Sequence, residues 1–234
     1  MKKIFLVMAS IVFLMAGVAS ADNFNLGDTF NQYITLDGYG GSTTPTTVGG
    51  GSIINTSILG GTAPNGMGGI TLPWVYCIGL YTTVTVSQDY PNTIVTHDGT
   101  VIFDNASYGP KGDYLQAVPN AAQVAWLLST YAVAAEGNTQ AQIGLQAAIW
   151  ATEYSGVTLD PSMTSAIGIY TADLAALAAA GYINPNIVNN FSWLTPADSN
   201  GTYQPLITTP EPVTLWLYGF GLVALGVWRK FRKA

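Results

Sequence analysis

Leu145-Gln146-Ala147-Ala148-Ile149-Trp150 lies inside the run Asn138–Tyr154, NTQAQIGLQAAIWATEY. The run is rich in good helix formers, and Asn138 or Thr139 suits an N-cap, so a helix is expected here. Residues three and four apart are neighbours on a helix, so Gln142, Ile143, Gln146, Ile149 and Trp150 share one stripe. Gln146 then points inward with Ile149 and Trp150. A buried amide must be hydrogen-bonded or its burial is costly. Two readings stand: Gln146 is a satisfied core glutamine, or its side-chain carbonyl is consumed in a covalent bond. Cys77 is the one cysteine of the chain that could form such a bond.

Outward from this helix, the helical period extends in both directions. Pro119–Ala134 places Val124, Leu127, Leu128 and Tyr131 on one side and is broken by Gly137 and Asn138. Asp160-Pro161 starts a third helix, Ser162–Ala180, ended by Gly181, with Leu174 and Leu177 for packing. Before the helices, Trp74–Val86 (WVYCIGLYTTVTV) is the strongest strand signal, being β-branched and aromatic. Val75, Cys77, Gly79, Tyr81, Thr83 and Thr85 share one face, and Tyr76, Ile78, Leu80, Thr82, Val84 and Val86 the other. Shorter strands are expected at Gln32–Leu36, Ser52–Leu59, Thr93–Thr96 and Thr100–Phe103, the last two around His97-Asp98-Gly99. Tyr203–Thr208 reads as a closing strand. Gly38–Gly51 and Gly60–Gly69 read as surface loops. The expected class is α+β: a sheet or sandwich-like core with an inserted block of about three helices, and a hydrophobic helix at the C-terminus.

The ends carry addresses. Lys2 and Lys3, the apolar stretch Ile4–Val18 and the small-residue site Ala19-Ser20-Ala21 form a signal-peptide pattern over residues 1–21. The expected extracellular domain is 22–209. Residues 210–234 run from Pro210-Glu211-Pro212 through the apolar Val213–Trp228 to Arg229, Lys230, Arg232 and Lys233. The apolar stretch is short for a span, which needs about 18 or more residues, and the basic cluster would hold it on the cytoplasmic side. Pro-Glu-Pro, apolar segment and basic end together resemble the PEP-CTERM sorting signal of Gram-negative bacteria. That resemblance implies tail removal by the membrane protease exosortase, a transient stay in the inner membrane, and delivery to the cell surface or exopolysaccharide matrix. The other reading is a plain C-terminal anchor.

Charge narrows the partners. Of seven basic residues only Lys111 falls within 22–209, against twelve of the 13 acidic ones, a formal balance of −11. Nucleic acid and anionic lipid need Lys and Arg that this stretch lacks. A domain carrying an electrophile would also gain from offering itself few amines. A single cysteine in an exported domain permits no internal disulfide, so Cys77 must be buried, joined to another chain, or bonded to something other than sulfur.

Tyr76-Cys77 in a strand, the helix Ala125-Trp126-Leu127-Leu128-Ser129-Thr130-Tyr131 and the motif Gln146-x-Ala148-Ile149-Trp150 occur in that order. In this they resemble the thioester domains of bacterial surface adhesins, over roughly Trp74 to Tyr154. Gln204-Pro205-Leu206-Ile207 is similar, more weakly, to the family's closing strand. Leu145 stands where the motif has threonine, and Gly79 where many members have aspartate. The resemblance implies a Cys77–Gln146 thioester supported by Tyr76, Ala148, Ile149 and Trp150, with no cofactor. It also implies single-turnover coupling to an amine-bearing surface or matrix protein, without catalytic turnover. The chemistry suits the residue types: a thiolate attacks the Gln146 amide carbon, ammonia leaves, and burial keeps water from the product.

Two rivals exist. A cysteine hydrolase would need Cys77 with His97, the lone histidine, which sits in a turn-like sequence. A non-covalent matrix or adhesion domain would hold Cys77 as an inert buried thiol and Gln146 as a core amide, with Trp74, Tyr76, Tyr81, Trp126 and Trp150 as core or a sugar-stacking surface. One histidine and one cysteine cannot close a zinc site.

Overall fold

The computed structural model describes residues 21–26, 33–37, 46–49, 53, 57–59, 70–72, 74–80, 82–85, 87–103 and 114–208. The expected signal peptide up to Ser20, the two glycine-rich loops for the most part, and the tail with Pro210, Glu211, Pro212, Arg229, Lys230, Arg232 and Lys233 lie outside the described residues. Among the described residues no helix is long and apolar enough to cross a membrane.

In chain order the first strands are β1 (Ala21–Leu26), β2 (Tyr33–Asp37), β3 (Thr46–Gly49), β4 (Ser57–Leu59), β5 (Ile70–Thr71) and β6 (Tyr76–Cys77). They are followed by β7 (Gln88–Thr96), β8 (Thr100–Val101) and β9 (Gln116–Ala117). The helical block is α1 (Ala121–Ala135), α2 (Thr139–Glu153) and α3 (Thr164–Ala179), with β10 (Thr158–Leu159) between the last two. A 3-10 helix, Pro185–Asn190, leads into β11 (Ser192–Thr195), β12 (Ala197–Asp198), β13 (Gly201–Thr202) and β14 (Leu206–Thr208). The class is α+β, as the order of periodicities implies.

The main sheet has seven antiparallel strands in the order β5-β4-β1-β7-β11-β14-β6. β6 therefore forms one edge. It pairs on one side with β14, Cys77 opposite Leu206 and Tyr76 opposite Ile207. The expected long strand Trp74–Val86 is corrected here: among its described residues only Tyr76–Cys77 is ladder-paired, and the chain bends at Leu80. The backbone beyond Cys77 still leans on the closing segment, with Ile78 N donating to Pro205 O at 2.9 Å and Gln204 N to Thr83 O at 3.3 Å. The alternation of faces holds as far as Ile78: Val75 and Cys77 enter one core cluster, Trp74, Tyr76 and Ile78 the other. Leu80 breaks it by joining Val75 and Cys77.

β7 is longer than the expected Thr93–Thr96 because it runs through Pro91. In the β1–β7 register Asp22 faces Thr93 and Phe24 faces Tyr90, so Pro91 and Asn92 together oppose Asn23. Such a two-against-one bulge is where a strand tolerates a residue with no N–H to give.

The three helices begin and end close to expectation. Asn138 caps α2, its side chain accepting from Ala141 N at 3.1 Å, as an N-cap asparagine should. Gly137 and Gly181 take left-handed φ values of 73° and 66° just past α1 and α3, the usual way to end a helix. The expected inner stripe of α2 is buried, but so is the rest of the segment: every residue from Gln142 to Trp150 is buried. The reason is its position. α2 packs against α1 and α3 and sends side chains into both core clusters. Ile143, Ala147 and Trp150 join Cys77 and Leu206, while Leu145, Ala148 and Ile149 join Tyr76 and Ile207. A helix that reaches both faces of one strand lies along that strand's edge. α2 thus covers β6, an edge that would invite stray pairing if left bare.

Candidate functional site

In an antiparallel ladder the N–H and C=O of one residue point to the same side, and successive residues alternate sides. Ile78 turns toward β14, its N–H donating to Pro205 O, so Cys77 turns its N–H and C=O outward, toward α2. Gln146 meets both. Cys77 N donates to Gln146 Oε1 at 2.9 Å, and Gln146 Nε2 donates to Cys77 O at 2.7 Å. The amide completes the ladder as a backbone would, and its orientation is set by chemistry: reversed, it would put donor against donor and acceptor against acceptor. Gln146 is 0% and Cys77 4% exposed. The Cys77 thiol is borne on the Cα between the two clamped groups, and its side chain shares a cluster with Ile143, Ala147 and Trp150 of α2.

Neighbouring contacts hold the strand in place. Tyr154 OH accepts from Leu80 N at 3.3 Å and donates to Ile78 O at 3.4 Å. Gln204 Nε2 donates to Gly79 O, and Thr208 Oγ1 to Trp74 O at 2.6 Å. Gly79 is required by close approach: a Cβ there would come within 2.7 Å of Pro205 Cδ and 2.8 Å of Thr82 Oγ1. The proline of the closing segment occupies the space that an aspartate would need. Leu145, in place of a threonine, is fully buried on the Tyr76 side of the strand with Ala148 and Ile149. Gln146 is oriented by the Cys77 backbone, with no hydroxyl involved.

The sequence pattern brings Cys77, Gln146 and Trp150 together on one side, and Tyr76, Ala148 and Ile149 on the other. It leaves His97 elsewhere. That ring is exposed, with Nδ1 3.1 Å from Phe191 O, and Phe191 belongs to the Tyr76 cluster. Among the described residues no three His, Cys, Asp or Glu side chains gather as a metal site.

Electrostatics sharpen the picture. Burial first, and the Glu153 charge second, push the Cys77 thiol up to about 12. Glu153 is itself held well above the carboxylate range by burial. Neither of its oxygens has a hydrogen-bond partner among the described residues, and the Trp150 indole Nε1 is likewise unpartnered. The sequence reading passed over Glu153, although a signal was present: seven residues beyond Gln146 is almost two full helical turns, hence the same face. On the other side of β6, Tyr76 is raised by burial, then by Asp173 and Glu136, and Asp173 rises to about 6 through burial.

Comparison with protein-family models, with characterised proteins and with solved structures finds no match.

Proposed function

We propose that the chain is an exported cell-surface or matrix protein whose Cys77 and Gln146 condense to an internal thioester that couples to amines on a partner protein. The observation that carries this reading is the paired hydrogen bond between the Gln146 amide and the Cys77 backbone. It fixes the Gln146 amide against the backbone of the residue that carries the thiol. The Cys77 N–H on Oε1 is a donor aimed at the oxygen that gains charge when the carbon is attacked. Loss of one such donor costs about 10²–10³ in rate in acyl-transfer sites. Holding the reactants in place supplies the rest of what a poor electrophile needs. The sulfur–carbon bond forms, the carbon–nitrogen bond breaks, and the thiol proton leaves with the NH₂ as ammonia. Export and tail processing by exosortase are proposed on the terminal sequences alone.

One observation favours the second reading, a non-covalent matrix or adhesion domain: a thiol pushed up to about 12 is neutral at ordinary pH. Intact mass separates the two. The thioester protein is lighter by one ammonia, resists alkylation at cysteine, and gains a small amine at Gln146. Cys77→Ala should abolish the mass deficit and the amine adduct while staying folded, because the clamp uses only the Cys77 backbone and the lost packing is modest, about 1 kcal/mol. Full mass with a readily alkylated Cys77 in the unfolded protein would establish the non-covalent reading.

A further inference from the structure

We infer that Asn200–Gly201 is a self-modification site. The Gly201 backbone nitrogen closes on the Asn200 side-chain amide to give a succinimide, water opens that ring to aspartate and isoaspartate, and the Asp198 carboxylate restrains the reaction. The inference does not depend on the thioester reading. It starts from the tip of the β12–β13 hairpin. Asp198 pairs with Gly201 across a two-residue turn, Ser199-Asn200, and Ser199, Asn200 and Gly201 are all exposed.

The turn itself places glycine after the asparagine. Gly201 has a φ of 142°, in the half of backbone space that glycine enters at little cost and other residues do not. That requirement also clears the path of the reaction. Gly201 has no Cβ to crowd its nitrogen, and the space where one would stand has nothing within 4 Å. Attack of Gly201 N on Asn200 Cγ closes a five-membered ring, an intramolecular step that needs no partner to be brought in.

Asp198 holds the reacting residue. Asn200 N donates to Asp198 Oδ1 at 2.6 Å and Asn200 Nδ2 to Oδ2 at 3.3 Å, while Tyr203 OH donates to Oδ2 at 2.8 Å. These donors, the Asn200 backbone first, keep Asp198 below the ordinary carboxylate range, so the clasp is charged at neutral pH. It restrains in two ways. It pins the amide, and its negative charge opposes the charge that gathers on Gly201 N as that nitrogen gives up its proton. The pairing of Gly201 with Asp198 must also open, which an exposed hairpin end does readily.

The steps balance. A nitrogen–carbon bond forms between Gly201 N and Asn200 Cγ, the Asn200 carbon–nitrogen bond breaks, and the NH₂ leaves with the Gly201 proton as ammonia. Water then adds to either carbonyl of the ring, leaving a carboxylate and an ordinary or a β-linked backbone. The ring, before water opens it, is lighter by one ammonia. A one-ammonia deficit in this chain therefore has two sources, told apart by the Asn200 peptide and by whether Cys77 alkylates.

The test incubates the folded full chain at pH 8.5 and 37 °C, beside a sample held unfolded in guanidinium chloride, and maps the peptides by mass. The Asn200 peptide of the folded chain should gain one mass unit and become a substrate for an isoaspartyl methyltransferase. Asn200→Ser should show neither change. Asp198→Ala should convert about 5–30-fold faster than the folded parent, the effect of releasing one or two hydrogen bonds. Asp198→Asn, which keeps an acceptor but loses the charge, should fall between the two. An Asn200 peptide unchanged in the folded chain while the unfolded sample converts would overturn the site. Rates in both Asp198 variants equal to or below that of the parent would overturn the restraint.

Discussion

Gln146 was legible because a polar residue on an apolar helical stripe must be satisfied somehow, and Cys77 because it has no possible disulfide partner. What the sequence did not disclose is that the two meet through the Cys77 backbone, since a side-chain amide standing in for a strand leaves no pattern of its own. Nor did it disclose Gly79 as a packing necessity, which depends on Pro205, far along the chain. The clamp makes a sharp prediction at this scale. Gln146→Glu puts a carboxylate oxygen where Nε2 now donates to Cys77 O at 2.7 Å, so that oxygen faces another acceptor. The variant should lose the one-ammonia deficit and leave a free Cys77. Placed in Cys77→Ala, where no thioester forms and the clamp persists, the same change should lose about 1–3 kcal/mol, the cost of an unsatisfied buried group, which lowers Tm by roughly 3–10 °C for a domain of this size. Mass spectrometry and thermal unfolding read the two effects separately. A double variant as stable as Cys77→Ala alone would show that the clamp contributes nothing to the fold.

Among the elements, the helices were nearly correct from spacing and caps, because Asn138, Gly137 and Gly181 act locally. The strands were less so. Trp74–Val86 has strand composition throughout, yet pairing ends at Cys77 and the chain bends at Leu80. β7 starts before the expected Thr93 and runs through Pro91, which a bulge accommodates. Pairing partners far apart in sequence decide such boundaries, and composition cannot name them. The packing of α2 on α3 offers a paired prediction. At Gly144 a Cβ would lie 2.8 Å from Ile169 Cγ2 and 3.1 Å from the Ala166 carbonyl oxygen, whereas at Gly168 nothing lies within 4 Å. Alanine in a helix gains about 1 kcal/mol over glycine. At Gly144 overpacking costs roughly 1–3 kcal/mol and should cancel or exceed that gain. Gly168→Ala should therefore raise the urea midpoint and Gly144→Ala leave it unchanged or lower it. The reverse order would mean that the two helices do not approach so closely.

For the whole molecule, the order strands, helices, strand gave the α+β class directly, and the scarcity of cations followed from counting. The consequence for stability was hidden, because burial of individual carboxyls is not visible in composition. Glu153 and Asp173 are both raised by burial, Asp173 to about 6 from 3.8 and Glu153 well above 4.5. A raised carboxyl holds its proton in the folded state at a pH where the unfolded chain has released it. The folded state then binds more protons, so stability falls as pH rises. That loss begins above about pH 4 and runs through pH 6 for Asp173, and Glu153 acts in the same direction. Asp98, Asp160 and Asp198 act in the opposite sense, being lowered by local hydrogen bonds. Asp98 is exposed and Asp160 and Asp198 partly so, so water screens their effect, and they matter only below the normal carboxylate range. The net charge of −11 over 22–209 adds self-repulsion in the same direction as the buried pair. The domain should therefore be most stable in mildly acidic solution. Its urea midpoint should fall steadily from pH 4.5 to pH 7.5, and Glu153→Leu and Asp173→Asn should each flatten that fall. A midpoint that rises over this interval in the parent protein would mean that these carboxyls are charged and paired in the native state.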